Sequence, residues 1–314
     1  MLPLILGVSV GIILPMQTAV NSRLRTVVNS AFISSMISFT IGTLFLVIST
    51  FATTGSLFVS KTLLVNQPWW IWIGGFLGVI YLTGNIILFP HLGSVQTVIM
   101  PVLGQIIMSM LIDNYGWFFS PASPLTVIRI CGALLVFAGV FSAVALPGLL
   151  QTSKLKSVSA KAQPTTSSWL WRIVGVLTGA LSAVQTAING HLSVVVHSAV
   201  KAALISFLVG TVALWLIVLL KERKVLFNNF HIKATVWWNW IGGIMGALFV
   251  CTNAYLVPII GTGMVVVILL IGTIIGSLLV DQFGLFASQK NPVNLLQLLG
   301  VFIMVIGVGM IKLL

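Results

Sequence analysis

The sequence predicts an all-α integral membrane protein in which ten transmembrane helices form two five-helix repeats of opposite orientation. Three observations predict this fold class: an apolar composition, an internal duplication, and a charge bias that reverses between the two copies. Of the 314 residues, 59% are hydrophobic and only 6% are charged. A soluble protein of this length needs a charged surface that this chain lacks, whereas apolar runs of about 20 residues can span a bilayer.

The duplication relates residues that lie 168 positions apart. The stretch Gln-Thr-Ala-Val-Asn-Ser-Arg-Leu begins at residue 17 and returns as Gln-Thr-Ala-Ile-Asn-Gly-His-Leu at residue 185, an offset of 168. The same offset holds without a gap along both halves. It pairs Trp69 with Trp237, Gly74 with Gly242, Asn85 with Asn253, Pro90 with Pro258, and Asp113 with Asp281. The whole chain is therefore a tandem duplication of one unit.

Each half contains five apolar runs of transmembrane length. We predict helices at 3–21, 31–51, 69–90, 94–112 and 125–147, and again at 171–189, 199–220, 237–258, 262–280 and 292–313. Short turns from Pro90 to Gly93 and from Pro258 to Gly261 should make the joined helices antiparallel neighbours. A polar linker at 151–168 separates a first repeat, 1–150, from a second, 169–314.

The basic residues indicate how the two halves are oriented. Because five helices are an odd number, two fused halves must enter the membrane from opposite sides. The loop after the first helix is basic in the first half, and the loop after the second helix is basic in the second half. The residues are Arg23 and Arg25 in the first case and Lys221, Arg223, Lys224 and Lys233 in the second. The positive-inside rule then places the linker in the cytoplasm and both termini outside a bacterial plasma membrane.

The composition also excludes several classes of function. The net charge of +12 does not indicate nucleic-acid binding, because the basic residues lie in short loops between apolar runs. The sequence offers no metal-ligand cluster, no nucleophile–base pair and no paired carboxylates, so we expect no enzyme activity, no cofactor and no metal. The expected partners are membrane lipid and a small-molecule substrate, bound by a monomer or a homodimer.

Six amide side chains recur at equivalent positions inside the predicted helices. They are Gln17, Asn21, Asn85, Gln185, Asn189 and Asn253. Gln17 and Asn21 are four residues apart and therefore share one helix face. Polar groups are costly in lipid, so these amides should face the interior, either as a two-fold related substrate site or as hydrogen-bonding glue between helices. The repetition is compatible with both interpretations, since a duplicated fold keeps both kinds of residue.

Other polar positions differ between the halves. Gln105 lies near the middle of its helix, where the second half has Thr273, and Pro15 and Pro101 also lack a proline counterpart. Proline kinks a helix and frees backbone carbonyls, so a kinked, polar half favours a substrate that is not itself symmetric. Drift after duplication would give the same pattern. Gln105 is included among the candidate substrate-binding residues.

Asp113 and Asp281 are the only acids besides Glu222, and each ends the fourth helix of its half. One interpretation is a carboxylate that accepts hydrogen bonds from nearby backbone N–H groups before a turn. The functional alternative is a pair of symmetry-related gates or ion relays. No acid lies deep in an apolar run, which disfavours proton–cation exchange through a buried Glu.

Glycine pairs open the third helix of each half. Gly74 with Gly78, and Gly242 with Gly246, have the small-xxx-small spacing that is typical of close helix contacts. The tryptophans just before them are typical of a membrane–water interface. Neither feature indicates a nucleotide loop, because no strand precedes the glycines and no lysine follows them.

Three features that occur in both halves carry a resemblance to a known family. They are the Gln-x-x-x-Asn of helix one, the tryptophan-rich stretch before the glycines of helix three, and the aspartate that ends helix four. With the five-helix unit, they resemble the drug/metabolite transporter superfamily and, within it, the YdcZ-like family of inner-membrane exporters. The resemblance covers nearly the whole chain except the linker, and it implies no particular substrate. The small multidrug branch has a membrane-embedded Glu where this chain has Gln17, so its coupling mechanism is not implied.

The sequence thus leads to two hypotheses for function. The first is a secondary transporter that exports a small metabolite or drug-like solute by alternating access between inverted repeats. The alternative is a non-transporting membrane scaffold or partner subunit, which predicts tight packing and no water-accessible path between the halves.

Overall fold

The computed structural model describes residues 2–59, 63, 66–155, 166–222, 236–288, 290 and 292–313. Over these ranges the chain is helical, with no strand. The first half contains α1 (Leu2–Val28), α2 (Ala31–Thr54), α3 (Gly74–Tyr115) and α4 (Val127–Leu155). The second half contains α5 (Thr166–Val195), α6 (Ala199–Lys221), α7 (Gly242–Ile260), α8 (Thr262–Phe283) and α9 (Leu295–Leu313). Of the linker predicted at 151–168, residues 156–165 lie outside the described part of the chain.

The long element α3 consists of two antiparallel arms. A Cβ placed on Gly175 of α5 would lie 3.6 Å from Leu88 Cδ1 and 2.7 Å from Met100 Cβ, so both residues meet the same point on α5. In a straight helix they would be about 18 Å apart, at 1.5 Å per residue. Gly74, at the start of the first arm, contacts Asn189 near the far end of α5. The chain therefore reverses direction between Leu88 and Met100, and α3 supplies both helices predicted at 69–90 and 94–112.

The second half makes the same reversal between α7 and α8. The turn is a single residue, Gly261, with φ of 81° and ψ of 160°, a conformation that L side chains rarely adopt. Nine helices or helix segments within the described residues are long and apolar enough to span a membrane. With the first arm of α3 they give ten crossings, as predicted.

The two repeats have opposite orientations. We call the end of the bundle where α1 begins and α9 ends the terminal face, and the end where α4 ends and α5 begins the linker face. α1 runs toward the linker face, and α5, its counterpart, runs toward the terminal face. Each packs on the third and fourth helices of the other half: Gly11 of α1 contacts Gly272 of α8, and Gly179 of α5 contacts Pro101 of α3. The inverted repeat predicted from the charges is confirmed.

Equivalent residues meet on the pseudo-two-fold axis between the halves. The hydroxyls of Thr43 and Thr211 lie 2.8 Å apart in a buried hydrogen bond. The rings of Phe39 and Phe207 stack with centroids 4.8 Å apart. Each pair is separated by 168 residues in sequence. The central contacts between α2 and α6 are therefore made by a surface that is complementary to its own duplicate.

Close helix approach at glycine holds the halves together. Gly75 of α3 and its counterpart Gly243 of α7 lie directly against backbone carbonyls, those of Ser206 and Ser38 respectively. A Cβ at either position would overlap the carbonyl oxygen, and a backbone atom cannot move aside as a flexible side chain can. These contacts confirm the prediction that the glycine-rich starts of the third helices serve close packing.

We predict that Gly243→Ala destabilises the fold while Gly309→Ala does not. The first substitution forces α7 away from Ser38, and overpacking of this kind costs about 1–3 kcal/mol. The second adds a methyl group where no atom lies within 4 Å. Thermal unfolding of the detergent-solubilised protein, followed by fluorescence-detected size exclusion, should show a lower midpoint for Gly243→Ala only. Equal midpoints for the two variants would contradict the packing described here.

Candidate functional site

A cavity of about 930 Å³ lies between the two repeats. Its walls come from α1, both arms of α3, α4, α5, α7, α8, the 3-10 turn Leu285–Ala287 and the start of α9. The polar residues that line it are Thr18, Ser22, Arg23, Thr26, Tyr81, Gln105, Ser182, Thr186, Asn253, Thr273, Ser277, Asp281, Ser288 and Gln297. Leu14, Pro15 and Pro101 line its deeper part, and Arg23, Asp281 and Ser288 lie at the linker-face ends of their segments. The cavity therefore reaches from the middle of the bundle to the linker face.

The terminal face is closed by the carboxylate of Asp113. This side chain is 1% exposed and lies at the start of α8. Its Oδ1 accepts a hydrogen bond from the backbone N–H of Thr262 at 2.8 Å, and its Oδ2 accepts one from Gly263 N–H at 2.8 Å. The Ser120 hydroxyl donates a third bond to Oδ1, also at 2.8 Å. Because the free N–H groups at a helix start carry partial positive charge, they are good partners for a carboxylate.

Arg129 supplies a positive charge to the same cluster. Its Nη2 lies 3.9 Å from Asp113 Oδ2, and both side chains are almost fully buried. Arg129 Nη1 also donates to the backbone carbonyls of Ser123 and, at 3.1 Å, Pro124. A charge taken out of water is tolerated when it is paired and hydrogen-bonded in this way. We call Asp113, Ser120, Arg129 and the N–H groups of Thr262 and Gly263 the terminal latch.

The chain after Asp113 folds so that Ser120 returns to the carboxylate. α3 ends at Gly116, which adopts φ of 63° as a left-handed C-cap. A 3-10 turn at Trp117–Phe119 follows, and Ser123 N–H donates to the Asp113 backbone carbonyl at 2.8 Å. The second half has the same backbone features, with Gly284 at φ of 62° before the 3-10 turn Leu285–Ala287. The local geometry is thus common to both repeats.

Aromatic side chains pack above the terminal latch. The rings of Trp70 and Phe118 meet edge to face with centroids 5.2 Å apart, and Phe119 stacks on His191 at 4.4 Å. Trp70 also lies 5.6 Å from His191. These contacts tie the turn after α3 to α5 and close the bundle further on the terminal face.

The residues at the linker face that are equivalent to the terminal latch do not form a latch in this structure. Asp281 lines the cavity and makes no hydrogen bond or ion pair with any described residue. Ser288, the counterpart of Ser120, and Gln297, the counterpart of Arg129, also line the cavity. Trp238 and Phe286 keep a ring contact at 5.6 Å, but Ala287 stands where the first half has Phe119. One face of the bundle is latched and the other is open.

Three of the predicted site residues lie on the cavity: Gln105, Asn253 and Asp281. Gln105 Nε2 donates to the Ser182 hydroxyl at 3.1 Å, across the contact between α3 and α5. The Oδ1 of Asn253 is buried without a hydrogen-bond partner among the described residues. The side-chain carbonyl oxygens of Gln17, Asn21 and Asn189 are likewise buried without a partner among the described residues, so it is its place on the cavity that distinguishes Asn253.

Four other predicted amides do not line the cavity. Each packs against a glycine of the third helix in the opposite half. The pairs are Gln17 with Gly246, Asn21 with Gly242, Gln185 with Gly78, and Asn189 with Gly74. This two-fold related set favours the interpretation of these amides as helix-packing groups, and it explains the glycine spacing. The side chain of Asn85 lies outside the described part of the chain.

The hydroxyl groups that line the cavity are not among the site residues predicted from the sequence. Ser182 with Thr186, and Thr273 with Ser277, are each four residues apart and therefore share a helix face. Thr186 donates to the Ser182 carbonyl at 3.0 Å, and Ser277 donates to the Thr273 carbonyl at 2.8 Å. The i, i+4 spacing of hydroxyl residues inside apolar runs was the available signal. It is a weak one, because such residues satisfy their own donors within the helix.

Comparison with solved structures and curated proteins adds information on the fold. A solved structure described only as "Crystal structure of protein" matches with a TM-score of 0.68 and 14% sequence identity, covering 99% of this chain and 96% of that chain. At that identity the similarity shows the fold alone. Comparison with curated proteins gives no match.

The comparison with protein families identifies the chain. The family described as "Putative inner membrane exporter, YdcZ" matches residues 2–142 and, a second time, residues 170–310. The two matches begin 168 residues apart, which is the offset of the duplication. Together they cover most of both repeats and leave out residues 143–169, around the linker, and a few residues at the two ends of the chain. The chain therefore belongs to the YdcZ family of inner-membrane exporters in the drug/metabolite transporter superfamily, in the form that fuses two repeats.

Proposed function

We propose that this protein is a secondary transporter that exports a small solute by alternating access between its two inverted repeats. The observation that carries the proposal is a cavity between the repeats that is open at the linker face and latched at the terminal face. Inverted repeats with a central site at their interface are the common architecture of secondary transporters. Membership of an exporter family supports the direction of transport.

The cavity lining favours a neutral or zwitterionic solute of metabolite or drug size. Its volume of about 930 Å³ is at the upper end of the range for small-molecule sites. Its deeper part combines apolar walls with amide and hydroxyl groups, while the charged groups Arg23 and Asp281 lie toward the mouth. In the proposed site, Asn253 accepts a hydrogen bond from the solute, and Gln105 exchanges its bond to Ser182 for one to the solute.

The alternative of a non-transporting scaffold is less well supported. A scaffold needs helices that pack closely through the middle of the bundle, as α2 and α6 do. The open cavity instead exposes polar side chains of α1, α5 and α8 in the middle of the bundle. Polar side chains within the membrane are costly, so they normally face a cavity or a partner that serves the function. A water-accessible path of this kind has a purpose in a transporter and none in a scaffold.

We predict that replacing the two cavity amides abolishes export while the protein still folds. Cells that overproduce the protein should release at least one neutral polar metabolite into the medium above the level of vector controls. The double variant Gln105→Leu, Asn253→Leu should lower that release about tenfold or more, because hydrogen bonds from buried groups to the solute are lost. Mass spectrometry of the medium measures the release.

Thr53→Val is the matched control for this experiment. Thr53 is exposed near the end of α2 and does not line the cavity, so this near-isosteric change should leave release unchanged. Both variants should reach the membrane in equal amounts and elute as single species. Unchanged release from the double variant would reject Gln105 and Asn253 as substrate-binding residues.

We further predict that the linker is cytoplasmic and both termini are outside, so that the cavity opens to the cytoplasm. A fluorescent protein that folds only in the cytoplasm should be bright when inserted after Ala160 and dark when fused after Leu314. Alkaline phosphatase, which is active only outside, should give the opposite result at each position. The reverse pattern would mean that the cavity opens to the outside, and the proposal of export would lose its support from the charge distribution.

A further inference from the structure

We infer that Asp281 is the second of two exchangeable gates: when the linker face closes, its carboxylate binds the start of the second arm of α3, as Asp113 now binds the start of α8. This inference deepens the proposed function and rests on it, because it names the groups that hold each face shut in turn. We call the arrangement that Asp281 would form the linker latch.

The duplication provides the parts of a linker latch. Ser288 follows Asp281 at the same distance at which Ser120 follows Asp113, after the same left-handed glycine and 3-10 turn. At the start of the second arm of α3, the repeat places Ser94 where α8 has Thr262. The turn glycine Gly261 likewise has a counterpart, Gly93. For the serine hydroxyl and the two backbone N–H groups that Asp113 uses, Asp281 therefore has counterparts in the sequence.

Asp281 has no partner among the described residues, so its carboxylate is available to bind one in another conformation. The chain has three acids: Asp113 is held in the terminal latch, Glu222 accepts a hydrogen bond from Ser30, and Asp281 has neither a hydrogen bond nor an ion pair with the described residues. Arg23, the other charged residue at the cavity mouth, does not pair with it either. A carboxylate at a membrane-spanning position without a partner is costly unless it is hydrated or bound in some stage of the cycle.

The two latches exclude each other by geometry. The cavity is the space between Asp281 on α8 and Val98 and Pro101 on the second arm of α3. Closing the linker latch brings Asp281 to the start of that arm and removes the mouth of the cavity. With α3 and α8 each packed on the first helix of the opposite half, the movement requires one repeat to tilt against the other, which pulls Asp113 away from α8.

The repeats differ at two latch positions, and both differences weaken the linker latch. Gln297 stands where the terminal latch has Arg129, so the linker latch has no equivalent ion pair. Val95 stands where α8 has Gly263, and a Cβ on Gly263 would lie 2.9 Å from Asp113 Oδ2, which is too close for an unadjusted contact. The state with an open linker face is therefore the more stable one in the absence of solute, and it is the state of this structure.

Two equivalent serines provide a matched pair of reporters. Ser109 and Ser277 each lie four residues before the aspartate of their repeat, and both donate to a carbonyl of their own helix. Ser277 lines the cavity, whereas Ser109 is 0% exposed. Ser109→Cys and Ser277→Cys are introduced one at a time after Cys131→Ala and Cys251→Ala. The rate of reaction with a small water-soluble maleimide is measured for the protein in lipid nanodiscs, where both faces are accessible.

Without substitutions at the latch residues, the thiol at position 277 should react readily and the thiol at position 109 slowly. Gln297→Arg strengthens the linker latch and should raise the rate at position 109 about tenfold while lowering the rate at 277. Asp113→Asn should have the same effect by weakening the terminal latch. Asp281→Asn should do the reverse and lower the rate at position 109 below that of the parent protein. Gln297→Arg and Asp281→Asn alter half-buried groups on the cavity, so they remain informative if Asp113→Asn fails to fold.

Two results would overturn the inference, and they separate it from the proposed function. If Asp113→Asn exposes position 109 but Gln297→Arg and Asp281→Asn change neither rate, alternating access stands and Asp281 is not a gate. If the thiol at position 109 stays unreactive in every folded variant, the protein does not open its terminal face, and both the inference and the proposed function fail.

Discussion

The rest of this structure depends on the hydrogen bonds between the buried carboxylate of Asp113, at the end of α3, and the start of α8. Asp113 accepts hydrogen bonds from the N–H groups of Thr262 and Gly263, and the Thr262 N–H is shared with the Ser120 hydroxyl at 3.2 Å. Hydrogen bonds to a charged group are worth about 1.5–3 kcal/mol each, so this contact holds the start of α8 firmly against the end of α3. Because those two elements belong to different repeats, the contact joins the halves at the terminal face, at the opposite end of the bundle from the mouth of the cavity.

The architecture separates residues that hold the repeats together from residues that face the cavity. Glycines on the third helices receive amide side chains from the first helices of the opposite half, and this pattern is two-fold related throughout. The Thr43–Thr211 bond and the Phe39–Phe207 stack lie on the same axis. Equivalent positions of the two halves also line the cavity, but with different residues: Gln105 and Pro101 face it from the first half where the second half presents Thr273 and Leu269. A two-fold related frame thus surrounds a cavity whose chemistry differs between the halves.

Much of the fold could be predicted from the sequence because it depends on local or repeated signals. The lengths of the apolar runs indicated how many times the chain crosses the membrane. The basic residues lie in different loops in the two halves, and this difference indicated that the halves have opposite orientations. Which of the amides pack between helices and which line the cavity could not be predicted. Gln17 and Asn253 are both buried polar groups in apolar runs, and only the three-dimensional packing places one against Gly246 and the other on the cavity. The roles of the aspartates were equally undetermined, because Asp113 reaches partners 149 and 150 residues away.

If the two faces open in alternation, one distance across each face should change in the opposite direction to the other. Spin labels at Thr26 and Lys290 report on the linker face, and labels at the equivalent exposed positions, Val194 and Ala122, report on the terminal face. Pulsed electron–electron double resonance of the protein in nanodiscs should show two distances for each pair of labels. We expect that conditions or variants that shorten the linker-face distance lengthen the terminal-face distance. A single fixed distance for both pairs, or distances that change together, would contradict it.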